Sequence, residues 1–310
     1  MIRRLNFIIL MILIFFTGCM KEEITPEYIP SVPAPEVETP IVHEEKDPEE
    51  EAPDVTGNEE NPPEVDLQSL SYENLVTYME EKYGHMEAGI FGENIEGVYT
   101  HIDVQEKVVA LTFDACGGRA GSGYDKELID YLIEEQVPAS LFINSRWIRE
   151  NPEQFRMLAQ TDLFEIQNHG HEHKPLSVEG RSVYNIQGTG SVSQVLDEVM
   201  KNQNEIFHMT GVRPRYFRSG TAYYDDVSLS ILKDLGIKAV NFDLLGDAGA
   251  KFNKAQMLNS AKQAKEGSIL LYHMNQPDKA VADGIKLVIP MLREKGFSFV
   301  KLSDYEEYLK

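Results

Sequence analysis

The sequence predicts an α/β protein with a mainly parallel sheet, and three observations indicate this fold class. Short apolar runs rich in β-forming residues alternate with amphipathic stretches over residues 107–300. Several amphipathic stretches are followed by a glycine that can end a helix, namely Gly211, Gly236, Gly267 and Gly296. About 240 residues make up this region and its flanks, which is the size range of a single α/β barrel.

Seven strands and six helices follow from this pattern. Strands are predicted over 107–113, 138–143, 163–167, 214–217, 237–242, 267–272 and 297–300. Helices are predicted over 125–135, 151–160, 192–209, 226–235, 254–265 and 280–294. Residues 67–99 have no strong motif, and we expect a helix and a strand or loop there, packed on the barrel. No internal repeat is visible.

Residues 1–18 have the pattern of a secretion signal. Arg3 and Arg4 precede an apolar run from Phe7 to Phe16 that is too short for a comfortable membrane span. The residues up to Cys19 resemble a bacterial lipobox, which implies cleavage before Cys19 and a lipid on its sulfur. We therefore expect an extracytoplasmic lipoprotein anchored to the membrane of the bacterial cell envelope. A secreted protein and an uncleaved anchor are the alternatives.

Residues 19–68 are predicted to be a disordered tether. From Lys21 to Asp66 there are 16 acidic residues, two lysines and nine of the chain's 15 prolines. Such a segment has little apolar surface to bury, and its charges repel one another. It contributes −14 of the chain's net charge of −22. Nothing basic enough for nucleic acid remains, so DNA or RNA binding is disfavoured.

Polar residues follow the predicted strands where the catalytic residues of an α/β barrel gather. These residues are Asp114, His169, Arg218, Asp243 or Asp247, and His273. Three histidines also lie within residues 169–173. Neutral imidazoles suit a borderline divalent cation, and a nearby carboxylate can take a proton from water. The pattern therefore favours metal-assisted hydrolysis.

The ordered motifs of residues 107–302 resemble the polysaccharide deacetylase family, carbohydrate esterase family 4, with its NodB-type domain. Thr112-Phe113-Asp114 stands at the family's Thr-Phe-Asp-Asp-Gly, and His169-Gly170-His171-Glu172-His173 at His-Ser/Thr-x-x-His. Tyr216-Phe217-Arg218 and Leu271-Tyr272-His273 match two later motifs. The resemblance implies a distorted, TIM-like (β/α) barrel of about seven strands over residues 107–310, after an N-terminal extension at 69–106. It also implies hydrolysis of acetyl groups from N-acetylated sugars of a cell-wall or extracellular polysaccharide.

The resemblance assigns a role to each matching residue. Asp114 is the general base, Arg218 holds its carboxylate ionised and oriented, and His273 is the general acid. His169 and His173 are the implied ligands of a divalent metal, Zn²⁺ or a similar cation. Two further residues are assigned to substrate binding: Leu271, which lines the acetyl pocket, and Tyr223, near which a backbone N–H faces the developing oxyanion.

The sequence departs from the family at two motifs. Ala115 replaces a second aspartate that usually ligates the metal, so Asp125 or Asp114 itself is left to supply an oxygen, and His171 is a further option. Cys116 lies beside the proposed base, so a thiol-modifying reagent is expected to block activity even if the thiol has no chemical role. The fourth motif loses its aromatic residue.

In that fourth motif we favour Asp247 over Asp243 as the partner of the catalytic histidine, because Asp247 lies in a glycine-flanked loop. Two other functions stay open. One is hydrolysis of another amide C–N bond on the same fold. The other is a catalytically inactive glycan-binding lipoprotein, which the alanine at position 115 suggests.

Overall fold

The computed structural model describes residue 67 and residues 69–310, which form an incomplete (β/α) barrel. The strands are β1 Phe91–Gly92, β2 Val98–Tyr99, β3 Val108–Ala115, β4 Ala139–Ile143, β5 Phe164–Asn168, β6 Tyr216–Phe217, β7 Tyr224–Asp225, β8 Lys238–Val240, β9 Leu244–Leu245, β10 Ser268–His273 and β11 Ser298–Val300. The helices are α1 Tyr72–Tyr83, α2 Lys126–Glu134, α3 Ser145–Glu150, α4 Pro152–Ala159, α5 Val192–Thr210, α6 Asp226–Asp234, α7 Lys254–Ala261 and α8 Val281–Glu294. A 3₁₀ segment, Leu302–Tyr308, follows β11.

The main sheet is parallel throughout, with the strand order β2-β8-β6-β5-β4-β3-β10-β9. The central strand β3 pairs with β10 from Val109 to Asp114. On its other side, β3 pairs with β11 at its start and with β4 at its end. The carboxyl ends of β3, β4, β5, β6 and β10 therefore meet at one rim, as in other barrels of this class. The short strands β1 and β7 form a separate antiparallel pair.

Side chains of β3 alternate between two layers, as strand geometry requires. Val109, Leu111, Phe113 and Ala115 belong to one buried apolar cluster with residues of α2 and α8. Thr112 and Asp114 instead bind Arg218 across the interior of the barrel. The methyl group of Ala115 thus packs in an apolar layer, on the opposite face of the strand from Asp114.

All seven predicted strands are present, as are the six predicted helices, with shifted ends. Strand β8 ends at Val240 rather than 242, because the carbonyl groups of Val240 and Asn241 accept hydrogen bonds from Arg218 instead of continuing a ladder. Helix α3 was not predicted separately. Its N-cap is Asn144, whose side chain accepts a hydrogen bond from the Arg146 N–H.

The N-terminal extension contributes α1, whose residues Leu75, Met79 and Tyr83 belong to a buried cluster with α5 and α6. The Tyr83 hydroxyl donates to Asp234 at 2.8 Å. The predicted signal sequence, the lipid site at Cys19 and all but the end of the predicted tether lie outside the described residues. Within the part of the chain that is described, no helix is both long enough and apolar enough to cross a membrane.

Candidate active site

Four strands bring the sequence-predicted residues to one rim of the barrel. Asp114, His169, Arg218 and His273 lie at or just after the carboxyl ends of β3, β5, β6 and β10. A pocket of about 560 Å³ opens there. Its lining includes Asp114, Cys116, His173, Leu271 and His273. The arrangement thus places charged and nucleophilic groups at the mouth of an otherwise packed barrel.

Arg218 holds the carboxylate of Asp114 in one orientation. Its Nη1 donates to Asp114 Oδ1 at 2.8 Å and to Thr112 Oγ1 at 3.0 Å. Its Nε and Nη2 donate to backbone carbonyl groups, and its guanidinium lies 4.1 Å from the centre of the Phe142 ring. Both partners of the ion pair are buried. A buried guanidinium with this many hydrogen-bond partners is fixed in place, and it fixes the orientation of the carboxylate beside it.

His169 presents one ring nitrogen to the pocket side of the site. Its Nδ1 lies 2.9 Å from the carbonyl oxygen of Arg218, which can only accept, so Nδ1 carries a proton. Its Nε2 lies 3.5 Å from Asp114 Oδ2 and 3.7 Å from Cys116 Sγ. Burial lowers the pKa of His169, but the charge of Asp114 and the contacts with Cys116 and Arg218 outweigh it and raise that pKa overall. A backbone contact that fixes the tautomer in this way is typical of metal-ligating histidines.

His173 completes the pair of histidines. The two rings are perpendicular, with their centres 4.9 Å apart. His173 Nε2 is buried and has no hydrogen-bond partner among the described residues. Buried polar atoms are nearly always satisfied, so this one calls for a ligand. The backbone of His173 packs closely against Gly220, where a side chain would not fit, since a Cβ there would lie 2.4 Å from the backbone carbonyl carbon of His173.

Glu198 of α5 shapes the loop that carries both histidines. Its carboxylate accepts hydrogen bonds from the backbone N–H groups of Glu172 and Lys174, at 2.9 and 3.2 Å. Burial raises the pKa of Glu198, although these two bonds oppose the shift. Gly170 lies against the same carboxylate, because a Cβ at that position would be 2.3 Å from Glu198 Oε1. The φ of 80° at Gly170 is a backbone conformation that other residues rarely adopt, so a glycine is favoured where the family has serine or threonine.

Cys116 is the third donor of the cluster. Its sulfur and one nitrogen each of His169 and His173 all lie within 4.8 Å of one another. Sulfur and nitrogen ligands at the usual zinc distances and tetrahedral angles lie about 3.6 Å apart, close to the 3.7 Å between Cys116 Sγ and His169 Nε2. Burial raises the pKa of Cys116, but His173, His169 and His273 together lower it well below its usual value. A thiolate and two imidazoles fit a zinc-like cation.

The candidate ligand set therefore differs from the one we expected. Asp125 caps α2, where its Oδ1 accepts from the Leu128 N–H at 3.0 Å, and it is not part of the cluster. His171 faces Glu172 at 3.4 Å and is also outside it. Cys116 was not predicted to be a metal ligand. Strand alternation was the available signal, because residues 114 and 116 share a face of the strand that residue 115 does not.

His273 is held on the opposite side of the pocket by Asp247. Its Nδ1 lies 2.9 Å from Asp247 Oδ1, and its backbone N–H donates to Asp247 Oδ2 at 2.6 Å. Burial lowers the pKa of His273, but the charge of Asp247 raises it well above its usual value. Asp243 instead accepts from Ser268 and from the Ile269 N–H, both at 2.8 Å. The histidine thus pairs with Asp247, the aspartate we favoured.

The outer part of the pocket is apolar and aromatic. Leu271 lines it, and its predicted contact with an acetyl group stays a prediction. The ring of Tyr223 packs between Phe91 and Tyr184, with centres 5.5 and 5.9 Å away. Tyr184 itself lines the pocket and is 67% exposed. No motif identified Tyr184, because only the folded chain brings it to this rim.

Residues 101–240 match the sequence model of the polysaccharide deacetylase family. Among curated proteins, the chain is similar to the peptidoglycan-N-acetylglucosamine deacetylase PgdA of Listeria monocytogenes, with 23% identity over 210 residues, which are 66% of this chain and 40% of that protein. Over the first relatives found, the alignments span between 31% and 56% of the relatives' own length.

Two solved structures share the fold. Bacillus subtilis PdaA, a family 4 carbohydrate esterase, superposes with a TM-score of 0.55 and 22% identity, over 74% of this chain and 88% of that one. BA3943, a pseudoenzyme of the same family from Bacillus anthracis, gives 0.57 and 19%, over 68% and 69%. At these identities the likeness concerns the fold, so activity has to be argued from the residues of the site.

Proposed function

We propose, from the premise that this chain carries a polysaccharide deacetylase domain, that the protein is a metal-dependent hydrolase that releases acetate from N-acetylated sugars of a cell-wall or extracellular polysaccharide. The observation that carries the proposal is that two separate groups of side chains lie around one pocket. One is the buried Asp114–Arg218 ion pair beside the Cys116, His169 and His173 donors. The other is the His273–Asp247 pair.

The two groups of side chains suit the two proton transfers of amide hydrolysis, one from the attacking water and one to the departing amine. Asp114, oriented by Arg218, is in a position to accept a proton from the attacking water. His273, kept protonated by Asp247, is suited to donate a proton to the departing amine. Hydrolysis of an amide needs one group that accepts a proton and another that donates one, and this pocket has a candidate for each role. A protein that only binds glycans needs neither a general base nor a general acid.

Cys116, His169 and His173 would hold the cation, which when bound supplies Lewis-acid polarisation of the amide and lowers the pKa of water. The residues of the chain do the rest. Arg218 orients the base, while the carbonyl oxygen of that same residue fixes the tautomer of His169. Leu271 offers an apolar surface to the acetyl methyl group. The predicted use of a backbone N–H near Tyr223 for the oxyanion stays a prediction.

For the sugar itself, the exposed aromatic rim is the best-suited surface. Tyr184 and Asn185 have φ values of 53° and 61°, in a tight turn where Val183 and Ile186 form a bridge. This left-handed backbone is costly for a tyrosine, and such cost is concentrated at functional sites. The ring is braced by Tyr223 and lies at the pocket edge. We place a sugar ring of the polymer against it.

The proposal includes the location. The signal sequence and the lipid on Cys19 would put the domain on the outer face of the bacterial cell membrane, and the acidic segment would let it reach a glycan in the envelope. A protein so placed meets N-acetylated polymers rather than cytoplasmic metabolites.

Metal content and acetate release, measured together on the full chain, test the proposal. Elemental analysis would accompany turnover of an N-acetylglucosamine oligomer for the wild type, for His169→Ala and for His208→Ala. His208 is an exposed residue of α5 and serves as the matched control. We expect one metal per chain and acetate release in the wild type and the control, and loss of both in His169→Ala.

Two results would contradict the proposal in different ways. Bound metal without acetate release would favour hydrolysis of another amide C–N bond. Absence of metal even after reconstitution, together with absence of turnover, would favour the non-catalytic glycan-binding protein.

A further inference from the structure

A second pocket lies on the far side of the loop that follows Cys116. It has a volume of about 490 Å³ and is lined by Gly118, Arg119, Ser122, Arg146, Arg149 and Glu150. Neighbouring residues of the same loop, Gly117, Ala120 and Gly121, line the catalytic pocket. One loop therefore forms a wall of both pockets, and a polymer bound in the first has this second pocket beside it.

The second pocket concentrates positive charge in a domain that is acidic. Residues 67–310 hold 25 Lys and Arg against 35 Asp and Glu. Four arginines of the described chain are paired with carboxylates, namely Arg181, Arg215, Arg218 and Arg293. Within those described residues, Arg119, Arg146 and Arg149 form no ion pair with a carboxylate. Among the described residues that line the pocket, Glu150 alone is acidic, so three cations face one anion there.

Arg146 anchors this charge next to the catalytic site. Its Nη2 donates to the carbonyl oxygen of Cys116 at 3.0 Å, and its Nε donates to Asn144 Oδ1 at 3.2 Å. These bonds fix the guanidinium and leave Nη1 without a hydrogen bond among the described residues. Gly118, with a φ of 80°, lies over this group, since a Cβ there would be 3.3 Å from Nη1. The fixed guanidinium therefore has donors available on its pocket side.

The geometry points to a subsite in which Arg119, Arg146 and Arg149 bind an anionic group carried by the glycan substrate, a carboxylate or a phosphate. Guanidinium groups pair with both anions through two parallel hydrogen bonds. Neutral sugars bring no charge for these arginines to neutralise. This inference rests on the proposed function and narrows it, because it makes the preferred substrate an anionic N-acetylated polymer rather than a neutral one.

The test compares one sugar tetramer in three forms that differ in charge. The probes are the N-acetylglucosamine tetramer, the same tetramer with its C6 hydroxyls oxidised to carboxylates, and the C6-phosphorylated tetramer. They would be assayed with the full-length wild type, with the double variant Arg119→Gln/Arg149→Gln, and with Arg156→Gln. Arg156 is exposed on α4 and lines neither pocket. Arg146 is left unchanged because it contacts Cys116.

We expect the wild type to have a lower KM for at least one anionic tetramer than for the neutral one. In the double variant that KM should rise about tenfold, while kcat and the KM for the neutral tetramer stay unchanged. The Arg156→Gln variant should have the same KM values as the wild type. The advantage should also shrink as salt is added. The anion that shows it identifies the charged group as carboxylate or phosphate.

Equal KM values for all three tetramers in the wild type, or an equal effect of the double variant on neutral and anionic substrates, would overturn the inference. Failure of the proposed function is distinguishable, because calorimetric binding of the anionic tetramers needs no turnover. Binding that depends on Arg119 and Arg149 would then uphold the subsite in a protein that releases no acetate. Binding that does not depend on them would overturn it.

Discussion

Replacing Cys116 with alanine should weaken metal binding strongly while leaving the fold in place. The thiol supplies one of three donors that lie within 4.8 Å of one another, and no described residue forms a hydrogen bond with His173 Nε2. Four-ligand zinc sites bind with roughly 10–16 kcal/mol, or roughly 3 kcal/mol for each ligand. At about 1.4 kcal/mol per tenfold change, the loss of one ligand corresponds to a drop in affinity of about 100-fold or more.

Competition with a chromophoric zinc chelator measures this affinity directly, and the cobalt-substituted protein reports on the ligand itself. The wild type should show a sulfur-to-cobalt charge-transfer band that is absent in both Cys116→Ala and Cys116→Ser, whose hydroxyl matches the thiol in size. Circular dichroism and thermal melting check that the variants are folded. Wild-type affinity in Cys116→Ala, or a cobalt spectrum without the sulfur band in the wild type, would refute the assignment of Cys116 as a ligand.

Restoring the family's second aspartate provides a contrasting variant. In Ala115→Asp the new carboxylate would enter the apolar layer with Leu111 and Phe113, away from His169. An unpaired charge buried in this way costs about 3–5 kcal/mol. We therefore expect Ala115→Asp to lower the free energy of unfolding, measured in urea, without increasing metal affinity. A folded variant that binds metal more tightly would show that this face was assigned wrongly.

Three further predictions follow from the contacts. Asp247→Asn should lower kcat by roughly 10²–10⁴-fold with little change in KM, because His273 loses the partner that fixes its protonation; unchanged kcat in steady-state assays would argue against His273 as the acid. Tyr184→Ala should raise KM for a tetramer by about tenfold with thermal stability unchanged or improved, whereas Tyr184→Phe should resemble the wild type; equal KM in all three proteins would remove Tyr184 from the substrate path. Asp125→Ala should destabilise the fold by about 1 kcal/mol through the lost cap of α2, as measured by urea unfolding. Burial raises the pKa of Asp125 in the folded state. The free energy of unfolding of the wild type should therefore fall relative to that of Asp125→Asn as pH rises from about 3.9, the usual pKa of an aspartate, through the folded pKa. A difference between the two proteins that does not change with pH would contradict this.

Local patterns in the sequence were sufficient to predict the strands and helices of the barrel. Each predicted strand and helix is a short segment whose periodicity depends on neighbours in the chain, so all appear in the structure. Asp114, His169, Arg218 and His273 could be singled out because each lies just after the predicted end of a strand. In a parallel sheet the carboxyl ends of strands share one rim, and this rule turns positions in the sequence into proximity.

Other features depended on contacts between distant segments. Cys116 became a candidate ligand only when strand alternation placed Ala115 in the apolar layer and loop 169–173 brought two imidazoles to the sulfur. The sequence favoured Asp247 over Asp243 as the partner of His273, but the two hydrogen bonds that join Asp247 to His273, 26 residues away in the chain, are visible only in the folded structure.

Tyr184 and the arginine pocket carried no motif at all, since exposed tyrosines and arginines are common on any surface. The order of the strands, helices and family motifs could be predicted from the amino-acid sequence alone, because it depends on local periodicity and on residue chemistry. The folded chain was needed to show which metal-ligating donors lie close together and which arginines have no acidic partner among the described residues, because both depend on how segments far apart in the chain pack against one another.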